Sequence, residues 1–538
     1  MAKETLTQLI GRVVGSEGLL RVPAWWMRRI LQAIVADYTR GIAGVKSAVA
    51  AVRKTMATKE EMEVVNASLS RANSDISTLR NAQSTLYNNI STVEGKVNTA
   101  QATADKIFGF LPSVKFTTTD STYVYVSIDG RRTKLEAGTN EFHYAKSFSF
   151  SGCSSNISEI DLSNAWRMNF DSQQLFRSCK ATKISFPIPV DSRQLTTAYF
   201  MFYLCENLSE LNLTGFDSSN ITNMEDMFAW SGMTQLDLSM LDTSKVTTMY
   251  GMFRGCSLTS LDLSTFDTSN VTTMADMFYR CENLTSLNLS GWNTGKVTSL
   301  KEFVRGCRKL TSMDVSGFDT SNVKILDQAF AQTGLTSLDV SGFNTSKVTS
   351  MKSVFGWSPF ETLDLSGWDT GNVMTMWCMF IGCNWLKSID FSGWDTTKVT
   401  DFDCFISASG DHTPELESLD MRSFNTPSVT NFSYMFGART TLKEIKFGIL
   451  DFASATDVGN MFHACNALTT FTGEVRNLKL SLDLGSSPLT AESAMVFING
   501  LAEVETTQTL RLKSTTHEQL TPEQIAVATA KGWTVVSV

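Results

Sequence analysis

The sequence predicts an α+β chain in which N-terminal helices and a parallel coiled coil precede a β-solenoid, closed at its far end by a small α/β cap. Three observations carry this. One short unit recurs every 25 or 26 residues between about Ile160 and Phe471, and a fixed period in that range is the signature of stacked turns. Apolar residues, with Gln83 the one polar member, alternate at spacings of three and four from Met62 to Leu111, as a coiled coil requires. Past residue 475, strand and helix patterns alternate under clear start and stop signals. At 538 residues the chain exceeds what one compact core serves. It divides into a helical anchor segment 1–57, a coiled-coil shaft 58–111, a small β segment 112–158, the solenoid 159–475 and the cap 476–538.

Residues 1–57 read as helices separated by Gly15-Ser16 and Pro23. They hold nine Lys and Arg against Glu4, Glu17 and Asp37, although the whole chain carries a net charge of −8. Such asymmetry points to different partners at the two ends. The pair Trp25-Trp26 beside Arg28 and Arg29 suits docking into another protein, as aromatic hot spots do. An ordinary bundle and a membrane-surface helix compete with that reading. The run AWWMRRILQAIVADY is broken by two arginines and too short to cross a bilayer, so no membrane insertion is expected.

Thr58 opens the shaft with a capping-box pattern completed by Glu61. Leu69, Ile76 and Ile90 lie on one seam and Leu79, Leu86 and Val93 on the other, giving a helix of roughly 80 Å. Isoleucine facing leucine suits a dimer, but small and polar seam residues blur that rule. Pro112 ends the helix. The runs VKFTTT, TYVYVSI, RRTKLEA and EFHYAKSFSFSG follow, with Asp129-Gly130 as a hairpin signal; this segment is expected to cover the open edge of the first solenoid turn.

The clearest solenoid unit, Leu258 to Cys281, reads LTSLDLSTFDTSNVTTMADMFYRC. A landmark, the last apolar residue before the Cys position, gives Phe176, Phe202, Phe228, Phe253, Phe278, Val304, Phe330, Phe355, Phe380, Ile406, Phe436 and Phe462. One unit cannot enclose its few apolar side chains, so turns about 4.8 Å apart must stack them into ladders, and about twelve units make a rod of roughly 55–60 Å. Phe216, Phe266, Trp292, Phe318, Phe343, Trp368, Trp394 and Phe424 share one position and are expected in the core. The same holds for Cys179, Cys205, Cys256, Cys281, Cys307, Cys383 and Cys465 as buried thiols. Asp217, Asp242, Asp267, Asp319, Asp369 and Asp395 stand at corners where a short carboxylate bonds its own backbone.

In the cap, a helix is expected from Thr490 to about Glu505, then the strand TLRLK, a second helix opened by Thr521-Pro522 and stopped by Gly532, and the strand WTVVSV.

The units FDTSNVTTMADMFYRC and WDTGNVMTMWCMFIGC resemble the BspA-type leucine-rich repeats, the DUF285 repeats of bacterial surface proteins, over about three fifths of the chain. That resemblance implies an extracellular or virion-surface binding module with no chemistry attached. The start of the chain shows no signal peptide, so a virion assembled in the cytoplasm is the expected setting. Resemblance to viral fibres implies a parallel trimer.

The predicted function is therefore a phage tail or head fibre, anchored by its N-terminus to another virion protein and binding a host cell-surface glycan or protein. A bacterial adhesin exported by an unrecognised route is the alternative. Catalysis is not expected: His143, His412, His463 and His517 are scattered, and no nucleophile elbow, zinc-protease or phosphate-loop motif occurs. No cofactor, metal or nucleic-acid partner is expected either. Around the landmark, Tyr203, Trp230, Arg254, Tyr279, Arg280, Arg305, Arg308, Trp357, Trp385 and Arg439 break the repeat. Aligned along one edge, they would offer stacking and charge-assisted hydrogen bonds to a receptor.

Overall fold

The computed structural model describes residues 174–186 and 195–538 throughout, strand backbones between 113 and 164, and scattered helical residues between 67 and 96. The chain forms two compact units, Met1–Pro112 and Ser113–Val538. In the first, Thr78, Thr85 and Thr92 donate Oγ1 to the carbonyls of Ser74, Asn81 and Asn88 at 2.9–3.0 Å. These exposed threonines are seven residues apart and off the predicted seam. The seam residues Leu69, Ile76, Leu79, Leu86, Ile90 and Val93, and the anchor residues Trp25, Trp26, Arg28 and Arg29, lie outside the described residues.

The second unit is a β-solenoid of about 14 turns with few helices. It opens with β1 (Ser113–Thr118), β2 (Val124–Ile128), β3 (Arg131–Leu135), β4 (Gly138–His143) and β5 (Phe148–Ser149). β2 and β3 pair antiparallel outward from Ile128 and Arg131. β6 (Ile157–Asn164) pairs antiparallel with β1 and parallel with β7 (Lys183–Ser185), which pairs with β8 (Glu210–Asn212). The order β4-β1-β6-β7-β8 thus puts the antiparallel pair β4-β1 on the edge before the first parallel solenoid strands.

Later strands are shorter than the leucine alternation suggests. β9 (Ser260–Asp262), β10 (Ser286–Asn288), β11 (Thr362–Leu363) and β12 (Ser388–Ile389) have two or three residues each, and only β13 (Ser418–Asn425), β14 (Glu444–Asp451) and β15 (Thr470–Arg476) lengthen. The continuous element is a parallel ladder on another side, with one rung per turn from Thr197 through Asn223, Thr248 and Thr273 to Asp457.

Each turn buries a fixed set. For the unit ending at Cys281 the set is Leu261, Leu263, Phe266, Val271, Met274, Met277, Phe278 and Cys281, none more than 4% exposed. Phe176, Phe202, Phe228, Phe253 and Phe278 stack face to face at 5.3–5.7 Å. The ladder aromatics expected in the core are there, with Trp292, Trp368 and Trp394 donating Nε1–H to the carbonyls of Leu263, Val340 and Leu365. The indole nitrogen is thereby satisfied without water.

Every corner Asp singled out in the sequence accepts the backbone N–H two residues on, as Asp267 does from Ser269 and Asp319 from Ser321. The next residue ties turns together. Thr320, buried, donates Oγ1–H to the carbonyl of Asn344 and accepts the N–H of the same residue, and Thr268, Thr370 and Thr396 repeat this with Asn293, Asp395 and Asn425. The alternation of Lys and Asn one step further also has a cause. Lys245, Lys296, Lys347 and Lys398 donate to Asn220, Asn270, Asn322 and Asn372 of the preceding turn, so no two ammonium groups meet in adjacent turns.

The ladder cysteines donate Sγ–H to the landmark carbonyl of the turn before, Cys256 to Phe228, Cys281 to Phe253 and Cys307 to Phe278. Cys179 departs from the expected thiol and is disulfide-bonded.

After β16 (Leu482–Leu484) come α1 (Ala491–Gly500), β17 (Gln508–Leu512), α2 (Ser514–His517), α3 (Pro522–Thr529) and β18 (Trp533–Ser537), the three strands parallel in that order. Thr490 caps α1, and Thr521 with Gln524 forms a full capping box on α3. α1 is shorter than expected and α2 was not anticipated. α1 stops because Gly500 packs against the next layer: a Cβ there would lie 2.5 Å from the Val475 carbonyl oxygen. Leu501 then turns extended and bridges Leu478.

Candidate binding edge

Two residues per turn, two before and two after the landmark, adopt the left-handed conformation almost without exception. The first set includes Phe200, Asp226, Gly251, Asp276, Glu302 and Ser353, and the second Leu204, Trp230, Gly255, Arg280, Gly306 and Trp357, all with φ between 48° and 80°. The backbone is held there by bonds to the next turn, such as Trp230 N–H to Arg254 O and Arg280 N–H to Arg305 O. Two left-handed residues around an inward Phe bend the chain sharply and turn the residues flanking the landmark onto one edge.

Tyr203, Arg254, Tyr279 and Arg305 stand one residue past the landmark, and Trp230, Arg280 and Trp357 two past it, so these seven occupy two repeat positions on that edge, in different turns. Trp385 stands apart and stacks on His412 of the long loop at 4.4 Å. Arg308 is exposed beyond the Cys position. Arg439 is a correction: it lies at the Cys position itself and is fully buried. A charged residue in a core slot reads as a surface residue when only the pattern is seen.

Most edge arginines are already engaged. Arg305 lies 5.3 Å from the Tyr279 ring and donates Nη1 to Glu302 at 3.0 Å. Arg177 covers Phe200 and Tyr203 at 5.3 and 5.5 Å. Arg280 is the freest, its side chain 53% exposed with Glu282 at 3.5 Å. Trp357, 38% exposed, is the most open edge indole. Trp230 and Trp357 lie across the next turn, where a Cβ on Gly255 or Gly382 would meet their rings at 2.2 and 2.7 Å.

The sequence reading missed the residues before the landmark. Asp226 and Asp276 hold equivalent positions two turns apart with Gly251 between them, where a Cβ would sit 2.3 Å from Asp226 Oδ1. Arg254 enters that space, its Nε 3.5 Å from Asp226 Oδ1 and its Nη2 3.0 Å from Asp276 Oδ2. Tyr250 donates its hydroxyl to Asp276 Oδ2 at 3.2 Å and lies 4.9 Å from the guanidinium. The charges are close but the bonds are poorly directed, leaving Asp226 Oδ1, Asp276 Oδ1 and two Arg254 nitrogens buried without an aligned partner. The gapped spacing Asp-Gly-Asp at one repeat position was the available signal.

Burial raises the Asp226 carboxyl to about 6, partly countered by Arg254 and reinforced by Glu225 and Asp276. Asp276 moves the same way through burial, against Arg254 and Lys301 and with Glu302. A raised folded-state value means the protonated form is favoured in the fold. The stabilisation is present below the unfolded value and disappears as pH rises through about 6. Asp226→Asn should therefore melt progressively higher relative to the parent as pH rises from 3.8 to about 6, and keep a constant difference above that. A melting difference independent of pH would refute the shift.

A polar groove of about 1050 Å³ also lies on the strand face, lined by Lys183, Glu210, Asn212, Asp237 and Asp262 among others and by no aromatic residue. Among the described residues no three His, Cys, Asp or Glu side chains group as metal ligands, and no helix is long and apolar enough to cross a membrane.

The family described as "Mycoplasma protein of unknown function, DUF285" matches residues 142–264, 196–313, 298–418 and 357–475. No curated protein and no solved structure matches. The four overlapping matches run from 142 to 475 of 538 residues, and their period is that of the turns described above. The chain belongs to the DUF285 family of repeat proteins.

Proposed function

We propose that this chain is a non-enzymatic binding protein whose solenoid edge recognises a cell-surface glycan or protein, carried as the fibre of a bacteriophage virion. The observation that carries the binding reading is the edge itself. Two left-handed positions per turn gather aromatic and arginine side chains outside a uniform core, and those positions vary while the core repeats. The heptads from Met62 to Leu111 support a coiled-coil shaft, with the outward threonine bonds at Thr78, Thr85 and Thr92 in keeping with a helix there; its trimeric state rests on resemblance to viral fibres. The basic segment 1–57 with Trp25 and Trp26 supports an anchor in another virion protein.

The test uses the most exposed edge residues. Arg280→Ala combined with Trp357→Ala should lower attachment to host cells by about fivefold or more, because stacking and charge-assisted bonding contribute on the order of 1–3 kcal/mol together. Cooperative melting should persist. Undiminished attachment would move recognition to the strand-face groove or the C-terminal cap and defeat the proposal.

A further inference from the structure

Among the described residues, two cysteines fall outside the core ladder. Cys378 and Cys404 stand two residues before the landmarks Phe380 and Ile406, both left-handed with φ of 54°. They are in register: Cys378 N–H donates to Asp403 O at 2.8 Å, between the bonds from Met376 to Asp401 and from Phe380 to Phe405. Directly paired residues of adjacent parallel turns have α-carbons about 4.8 Å apart, inside the range a disulfide spans. Both are free thiols, and hydrogen bonding to Cys404 is the foremost influence on Cys378, followed by burial, pushing it far above the ordinary thiol range.

Their surroundings differ from those of the other free cysteines. Cys205, Cys256, Cys281, Cys307, Cys383 and Cys465 are buried and direct Sγ–H at a landmark carbonyl. Forming a disulfide there would orphan that carbonyl acceptor and require the reagent to enter the core. Cys378 and Cys404 have no such carbonyl, and Cys404 is partly exposed on the edge. Around them Trp377 Nε1–H to Asp403 Oδ2 at 2.9 Å ties the same two turns together on the outside, so the backbones are already held at bonding distance.

We propose that Cys378 and Cys404 are a thiol pair that closes into a disulfide between adjacent turns on exposure to a low-molecular-weight disulfide. The partly exposed Cys404, as its thiolate, attacks one sulfur of the reagent, forming a mixed disulfide and expelling one reagent thiol. Cys378 then loses its proton and attacks the Cys404 sulfur, expelling the second. Two protein thiols and one reagent disulfide become one protein disulfide and two reagent thiols, with no other oxidant. The product is a covalent staple across the edge, and this site is independent of the binding function proposed above.

The experiment treats the full reduced chain with oxidised glutathione and maps peptides without reduction. The expected product links the Cys378 and Cys404 peptides, raises the melting temperature and reverts with dithiothreitol. Cys378→Ser should instead leave a lasting glutathione adduct on Cys404, and Cys404→Ser should leave Cys378 unreacted. Serine fits here, since Ser353 fills this ladder position one turn earlier. A lasting adduct on Cys404 in the parent, links first among the core cysteines that are free thiols in the fold, or no reaction at this pair would each overturn the proposal.

Discussion

Replacing Arg439 by alanine should cost about 3–5 kcal/mol, the range for breaking a buried charged network and opening a cavity. Its side chain lies in the core, three residues past Phe436, where most turns, including the next with Cys465, carry cysteine. At that position each cysteine donates to the landmark carbonyl of the turn before. The turn before Arg439 cannot do so. From Ile406 to Phe436 the spacing is 30 rather than 25 or 26, because the chain leaves the ladder in a loop, and the equivalent Ser409 is exposed. The carbonyl of Phe380 thereby loses its expected donor. Arg439 reaches through the vacated slot and replaces two cysteines at once: Nε donates to Ile406 O and Nη2 to Phe380 O at 3.5 Å, with Nη1 on Cys383 O at 3.2 Å.

No carboxylate appears among these contacts. Burial pulls the guanidinium down to about 10, so it stays charged at neutral pH and is held by carbonyl dipoles. A graded series tests the account by denaturation of the full chain, followed through the fluorescence of buried Trp368 and Trp394. Arg439→Cys restores the bond to Ile406 alone and should fall between the parent and Arg439→Ala. An alanine variant losing less than about 1 kcal/mol, the worth of one ordinary hydrogen bond, would sink it.

Arg439 also shows where sequence reasoning stops. Repetition made the core legible: Trp292, Trp368 and Trp394 share one slot with phenylalanines, so a ring over and over at one spacing had to be interior. Asp267 and Asp319 were legible because a corner carboxylate needs only its own backbone. What repetition hides is an irregular turn repaired by its neighbour, since the Ile406 loop and Arg439 are 33 residues apart and only the stacking joins them. The left-handed edge was hidden too. Glycine advertises positive φ, but here Phe200, Trp230, Glu302 and Trp357 adopt it, held by bonds to the next turn rather than by intrinsic preference. Hence Asp226 and Asp276 went unnoticed, while the edge residues past the landmark were found through their variability.

Gly255→Ala is expected to be the most damaging single methyl on that edge. Its φ is 64°, yet the conformation is not the obstacle, because Leu204, Trp230 and Arg280 hold the same angle at equivalent positions. The obstacle is Trp230, whose ring lies against the Gly255 α-carbon: an added Cβ would sit 2.2 Å from Cε3 and 2.5 Å from Cδ2 and Cζ3. The Trp230 backbone cannot shift away, because its N–H is bonded to Arg254 O at 2.6 Å, so the indole itself must swing aside. Overpacking of this kind costs about 1–3 kcal/mol. Trp230→Ala removes the collision, so the double variant should be less destabilised than the sum of the two singles, with a coupling of about 0.5–3 kcal/mol. Gly382→Ala with Trp357→Ala should repeat the pattern, more weakly, since the contact there is 2.7 Å and the ring is more exposed. Additive effects in both cycles would mean that the rings do not rest on these glycines and that the edge is laid out otherwise.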